Sequence, residues 1–198
     1  LLGLAGLGWS FPSGQFQEEP VSDKKTAWPR IKEYRPLGRT GFKVSDIAAG
    51  AIQDEGVLRA ALEAGVNYID TAEEYPGHHR VVAKAIKGRD RKSIFISTKL
   101  LVKKPNESCA SFLRRAHRCL EELETDYVDC LMMHMPERVE TLKTPGFHQA
   151  MQELKATGRV RFVGVSNHGS FWFKDPAQTM DQVLLAAAED GRFDVFLL

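Results

Sequence analysis

One pattern runs from Tyr34 to the end of the chain: a short β-rich run, a polar loop, an amphipathic segment, then another β-rich run. The β-rich runs are Asp46–Gly50, Val66–Asp70, Ile94–Lys99, Val128–His134, Arg161–Ser166 and Asp194–Leu198. They are nearly continuous in Ile, Val, Phe, Leu and Met, as strands buried on both faces of a parallel sheet are. Between them the periodicity predicts helices over Glu55–Ala64, over Ser108–Leu123, through Phe147, Met151 and Leu154, and over Thr179–Asp190. Phe112, Leu113, Ala116, Leu120 and Leu123 fall on one face at the 3.6-residue period. Gly65, Gly158 and Gly191 stop three of these segments, as left-handed C-caps do.

Strand centres recur every 20–35 residues or roughly one βα unit. Such alternation leaves an open doubly wound sheet or a closed barrel. No GxGxxG follows the first strand, which weakens the doubly wound dinucleotide option against an α/β (β/α)8 barrel. Tyr34-Arg35-Pro36-Leu37-Gly38 and Phe42-Lys43-Val44 flank Arg39-Thr40-Gly41, which reads as a β-hairpin able to cap the N-terminal end of that barrel. Six runs stand where such a barrel uses eight strands, so about six of eight βα units are expected here and truncation at both ends is inferred. Residues 1–198 alone are expected to show little activity and poor solubility.

Composition narrows the partners. The chain has 198 residues, 43% of them hydrophobic, and a formal charge of +1. That supports one core and, with no basic stripe interleaved with aromatics, no nucleic-acid footprint. Lys87–Lys92 and Lys103-Lys104 read as solvated turns. Cys109, Cys119 and Cys130 lack CxxC spacing, so neither a disulfide framework nor a zinc site is expected, and Cys130 reads as a small buried hydrophobe. The apolar stretch 1–11 is too short to span a bilayer. It has the look of a secretory h-region without its charged start, of the twin-arginine type, or else of a disordered tail. The organisation read is therefore an apolar tail and polar linker over 1–31 and a partial barrel over 32–198. A cytoplasmic location is the default expectation and export the alternative.

Four polar residues interrupt the apolar pattern at strand ends. Asp70 ends the second run, Tyr75 follows in its loop, Lys99 ends the third and His134 ends the fourth. In a parallel barrel all C-terminal strand ends meet at one mouth, so these four converge. An ammonium beside a phenol favours the phenolate, a carboxylate keeps the ammonium charged, and an imidazole can orient a substrate oxygen. Each residue alone has a plainer reading: an Asp as an N-cap, a snorkelling Lys, a satisfied core His. The convergence of all four is what argues for proton transfer. Phe171-Trp172-Phe173 reads as packing under a loop, and His168 as either pocket lining or surface.

The motifs that hold these residues resemble the aldo-keto reductase family. Gly65-Val66-Asn67-Tyr68-Ile69-Asp70-Thr71-Ala72-Glu73-Glu74-Tyr75 is similar to its GxNxxDTAxxY box, and Ile94–Lys99 to its lysine strand. Leu123–His134 resembles its L-x-x-D-Y-x-D-(x)4-H strand, and Gly158–Asn167 its G-K-[IV]-R-x-[IV]-G-[VL]-S-N segment. Tyr34–Gly41 also fits, so the likeness spans about residues 34–198. It implies Tyr75 as general acid, Asp70 and Lys99 as its tuning pair, His134 as substrate orienter, and Ser166 and Asn167 as ligands of a nicotinamide carboxamide. It implies NADPH (NADP+) as cofactor, with NADH left open, a small carbonyl substrate, and a monomer. Two departures stand out. Pro76-Gly77-His78-His79 replaces the usual G-x-[GS]-E, and the loop after Gly50 is short, which reduces one pocket wall. The His78/His79 pair has no nearby acidic or cysteine partner in sequence, so no metal is expected. The altered loop keeps open a non-catalytic, cofactor-sensing or binding role on the same scaffold, as in potassium-channel β subunits.

Overall fold

A computed structural model describes residues 29–168 and 178–198. The apolar stretch 1–11, nearly all of the linker after it and Phe171-Trp172-Phe173 lie outside those residues. Strands β1 (Tyr34–Pro36) and β2 (Lys43–Ser45) form an antiparallel hairpin, with Arg35 opposite Val44. Then come α1 (Glu55–Glu63), β3 (Tyr68–Asp70), α2 (His78–Ile86), β4 (Phe95–Leu101), α3 (Cys109–Glu122) and β5 (Val128–His134). The chain continues through α4 (Val139–Leu142), α5 (Pro145–Ala156), β6 (Val160–Ser166), α6 (Met180–Asp190) and β7 (Val195–Leu197). Strands β3 to β7 form one parallel sheet in sequence order, an incomplete barrel with helices on its outer side.

Side-chain alternation divides the apolar residues into two layers. Ile69, Ile96, Leu100, Leu131, Met133, Val163 and Val165 face the helices and pack with Leu58, Val82, Phe112, Phe147 and Leu154. Phe112 and Phe147 meet edge to face at 5.5 Å, tying α3 to α5. The alternate positions Tyr68, Phe95, Cys130, Met132 and Val195 fill the barrel interior. Leu37, Phe42 and Val44 of the hairpin pack against that inner cluster, with the Phe42 and Phe95 rings 5.5 Å apart. The hairpin thus plugs the N-terminal end of the interior. Burial of a ring such as Phe95 contributes about 1.5–3 kcal/mol. Room inside is scarce at Gly164, where a Cβ would stand 2.7 Å from Met132 Cγ and 2.9 Å from both Cys130 Sγ and the Val195 carbonyl oxygen. Burial pushes the Cys119 thiol up to about 12 and raises Cys130 as well, so both behave as apolar filling.

The predicted helices form within a residue or two of their expected bounds, and Gly65, Gly158 and Gly191 all take positive φ. Thr179 caps α6 through a reciprocal capping box with Gln182. Two readings need correction. Asp46–Gly50 is not a strand: only Ala49 bridges, parallel to Ile69, through Ala49 N–H to Tyr68 O and Asp70 N–H to Ala49 O, both 2.8 Å. The chain bends at Asp46-Ile47, just past β2, whose last residue, Ser45, gives its N–H to Asn67 Oδ1. The other is α2, which the sequence pattern did not reveal. Its N-cap is Gly77 in the left-handed region with no capping side chain, and it carries Val81-Val82, so both start signal and propensity are weak.

Three buried imidazoles set an acid limit to stability. His78, His79 and His148 are held below the ordinary histidine value of 6.5, first of all by burial. The unfolded chain therefore binds more protons than the folded one below that value, so their contribution is complete above it and is lost as pH falls. The urea midpoint of the full-length protein is expected to drop on going from neutral to mildly acidic pH, and to drop less in His148→Gln. An equal slope in that variant would contradict the assignment for His148.

Candidate active site

Strand parity builds the site. Ser97 and Lys99 are two apart on β4 and therefore share the inner face, where β3 pairs Asp70 with Ser97. Lys99 Nζ donates to Asp70 Oδ2 at 2.5 Å and to the Thr71 carbonyl at 2.9 Å, while Ser97 Oγ donates to Asp70 Oδ1 at 2.7 Å. Lys99 is only 1% exposed. A buried ammonium survives only with such compensation. Two of its three hydrogens are used, which leaves one for a further acceptor.

Tyr75 stands over this pair, half-buried, with its ring centre 5.0 Å from Lys99 Nζ. Its ring meets the His134 ring edge-on at 6.1 Å. His134, the last residue of β5, is buried, and its Nδ1 lies 2.9 Å from Glu74 Oε2. Ser166 pairs with His134 in the next register position and is fully buried, with an Oγ that has no hydrogen-bond partner. Asn167 donates from Nδ2 to the Pro136 carbonyl at 2.9 Å and from its backbone N–H to Leu197 O at 3.0 Å. His168 lies at the rim, exposed, with its ring 6.5 Å from that of His134. Asp70, Tyr75, Lys99, His134, Ser166 and Asn167 thus occupy one end of the sheet.

The loop that carries Tyr75 is anchored from outside the pocket. Glu73 forms a short ion pair with Arg115 of α3, and Arg115 also donates to Glu107 Oε1 at 2.7 Å and to the Leu101 carbonyl at 2.6 Å. Burial opposes ionisation of Glu73, but the Arg115 guanidinium, with a hydrogen bond to Glu74 and the charge of Lys103, more than offsets it and holds the carboxyl below its usual range. Arg115→Met would strand two buried carboxylates, a loss of about 3 kcal/mol in stability. A urea midpoint that shifts by the equivalent of less than about 1 kcal/mol would put this cluster with surface ion pairs instead.

Sequence reasoning missed several of these partners. Ser97 was accessible to it, because period two puts Ser97 beside Lys99. Glu74 and Arg115 were not, since a loop carboxylate and a helical arginine give no periodic signal. The His78/His79 pair splits: His78 Nδ1 meets Thr71 Oγ1 at 2.8 Å, whereas His79 bridges Glu122 Oε2 at 3.0 Å and Thr98 Oγ1 at 2.8 Å. Among the described residues no group of three His, Cys, Asp or Glu side chains is placed to hold a metal ion.

The same order of motifs decides the family, because the aldo/keto reductase family model matches residues 47–181. The chain belongs to the aldo/keto reductase family. It is 34% identical over 111 residues to methylglyoxal reductase DkgB of Escherichia coli O157:H7, covering 56% of this chain and 41% of that protein. It is 31% identical over 157 residues to L-galactose dehydrogenase of Arabidopsis thaliana, covering 68% of this chain and 48% of that one. An aldo-keto reductase from Bacillus halodurans in its holo form superposes with a TM-score of 0.62 at 27% identity, over 82% of this chain and 55% of that one. An aldo/keto reductase from Brucella melitensis gives a TM-score of 0.62 at 28% identity, over 84% and 62%. The chain thus spans less than half the length of these two curated relatives. Against the family pattern, Pro76-Gly77-His78-His79 does not carry Tyr75 away from Lys99: Pro76 and Gly77 are exposed, and the two histidines are buried at the start of α2. Among the described residues no helix is long and apolar enough to cross a membrane.

Proposed function

We propose that the full-length protein reduces an aldehyde or ketone with NADPH, Tyr75 giving the proton to the carbonyl oxygen. The observation that carries this is the gathering of a buried, carboxylate-bound ammonium, a half-buried phenol and a buried imidazole at one end of the sheet. NADPH supplies the hydride for the carbonyl carbon. The chain supplies position and charge. Lys99, held by Asp70 and Thr71, keeps positive charge beside the Tyr75 ring, where it would stabilise the negative charge left once the proton is given. His134 meets the Tyr75 ring edge-on at 6.1 Å, where a ring nitrogen can hold the same substrate oxygen. Tyr75 would give its proton to the carbonyl oxygen as the bound cofactor supplied hydride to the carbon, and the phenolate left on Tyr75 would be reprotonated from solvent.

The buried, partnerless Ser166 hydroxyl fits a carboxamide, which both donates and accepts, and Asn167 stands next to it on the same strand end. These two residues would hold the nicotinamide ring. The test is cofactor oxidation by the full-length protein across a panel of aldehydes and ketones. Carbonyl-dependent oxidation of NADPH is expected; cofactor binding without any such oxidation would favour a sensing or binding role.

A further inference from the structure

Glu74 immediately precedes Tyr75, and no part of the proton-transfer account above uses it. Its Oε2 lies 2.9 Å from His134 Nδ1, with the His134 side chain 2% exposed and that of Glu74 25% exposed. An ionised carboxylate has no hydrogen to give, so Nδ1 is the donor and must carry one. The ring plane is also set, edge-on to Tyr75 at 6.1 Å and to His168 at 6.5 Å. Turning it over to exchange its nitrogens would keep the ring plane but break the Glu74 bond.

The consequence lies at the other nitrogen. With Nδ1 protonated, a neutral ring presents a bare lone pair at Nε2, and Nε2 bears hydrogen only when the ring is an imidazolium. A lone pair accepts from an alcohol hydroxyl. An imidazolium N–H donates to a carbonyl oxygen. We propose that Glu74 is a positioning residue that locks the His134 tautomer, so that Nε2 alone exchanges protons and the ring's charge selects hydroxyl or carbonyl ligands. This rests on the carbonyl–alcohol reading of the site. Among the described residues, the ionisable groups around the ring are Asp70 of β3, Glu74 and Tyr75 of the following loop, Lys99 of β4 and His168 after β6. Of these, Glu74 alone is hydrogen-bonded to the ring. His168 is held below the usual range by burial, and then by His134 and Lys99, so it adds little positive charge at neutral pH.

The test uses full-length protein labelled with nitrogen-15 in its histidines, and follows His134 by two-bond proton–nitrogen correlation as pH is raised. The expected result is that Nδ1 stays in the protonated range while Nε2 moves from protonated to bare. Loss of the proton from Nδ1, or retention of both protons to the alkaline limit of folding, overturns the proposal. In Glu74→Gln the amide can turn its NH2 towards Nδ1, so a neutral ring with hydrogen on Nε2 becomes populated. For the wild type, kcat/KM for a carbonyl is expected to fall about tenfold through the ring's titration, a loss that the variant escapes. Parallel profiles for the two proteins count against it. The nuclear resonance readout needs no turnover, so an inactive protein that still shows the Nδ1–H tautomer would sink the reductase reading and leave the Glu74 lock standing.

Discussion

Tyr75→Phe in the full-length protein is expected to lower carbonyl turnover by about a hundredfold to ten-thousandfold, the usual worth of a positioned acid. NADPH binding should persist, because the residues proposed to hold the nicotinamide, Ser166 and Asn167, lie on β6 and just beyond it rather than on the Tyr75 loop. The fold should persist as well. The phenol is half-buried, and neither the Lys99–Asp70 bond nor the Glu74–His134 bond passes through its hydroxyl. Cofactor titration and single-turnover kinetics on the same sample separate the two effects. Turnover within a few-fold of wild type would remove Tyr75 from the chemistry.

Lys99→Met should act on stability and activity together. The ammonium is what compensates Asp70, whose side chain is 13% exposed; without it one Ser97 hydroxyl remains on Oδ1. Breaking a buried pair in this way costs about 3–5 kcal/mol. Lys99→Met combined with Asp70→Asn should recover most of that stability, since the stranded charge is gone, but none of the turnover, since the cation beside Tyr75 is gone too. Denaturant midpoints and kcat/KM for the two single variants and the double variant check both halves. A double variant that regains activity would show that the ammonium acts only as a structural counterion.

The sequence made the α/β architecture legible because buried parallel strands and amphipathic helices leave different periods. Runs such as Val128–His134 and Ile94–Lys99 are mostly apolar and end in an ionisable residue, which marks both the strand and its functional end. Ala49 shows where this stops working. An alanine between Ala48 and Gly50, two residues after Ile47, looks like part of a strand, but it makes only a single bridge, to Ile69, which is remote in sequence. For α2 the opposite failure applies: its buried side chains Val82, Ala83 and Ala85 are held by packing against α1 and α3, and its glycine N-cap sends no signal. Around the site, strand ends could be read from pattern, whereas Glu74 and Arg115 depend on how loop and helix fold back over the sheet. The hydrogen bond from His134 to Glu74 spans 60 positions, and no local rule reaches that far.

The parallel strands and the loop after β3 bring the Tyr75 ring to 5.0 Å from the Lys99 ammonium and 6.1 Å from the His134 ring. The most direct measurement is the distance between Tyr75 Oη and Lys99 Nζ in a crystal structure of the full-length protein with NADP+ bound. Hydrogen-bond reach, roughly 3 Å, is the predicted result, with His134 Nε2 turned to the same point. A phenol pointing to solvent, with the ammonium bound by Asp70 and Thr71 alone, would contradict it.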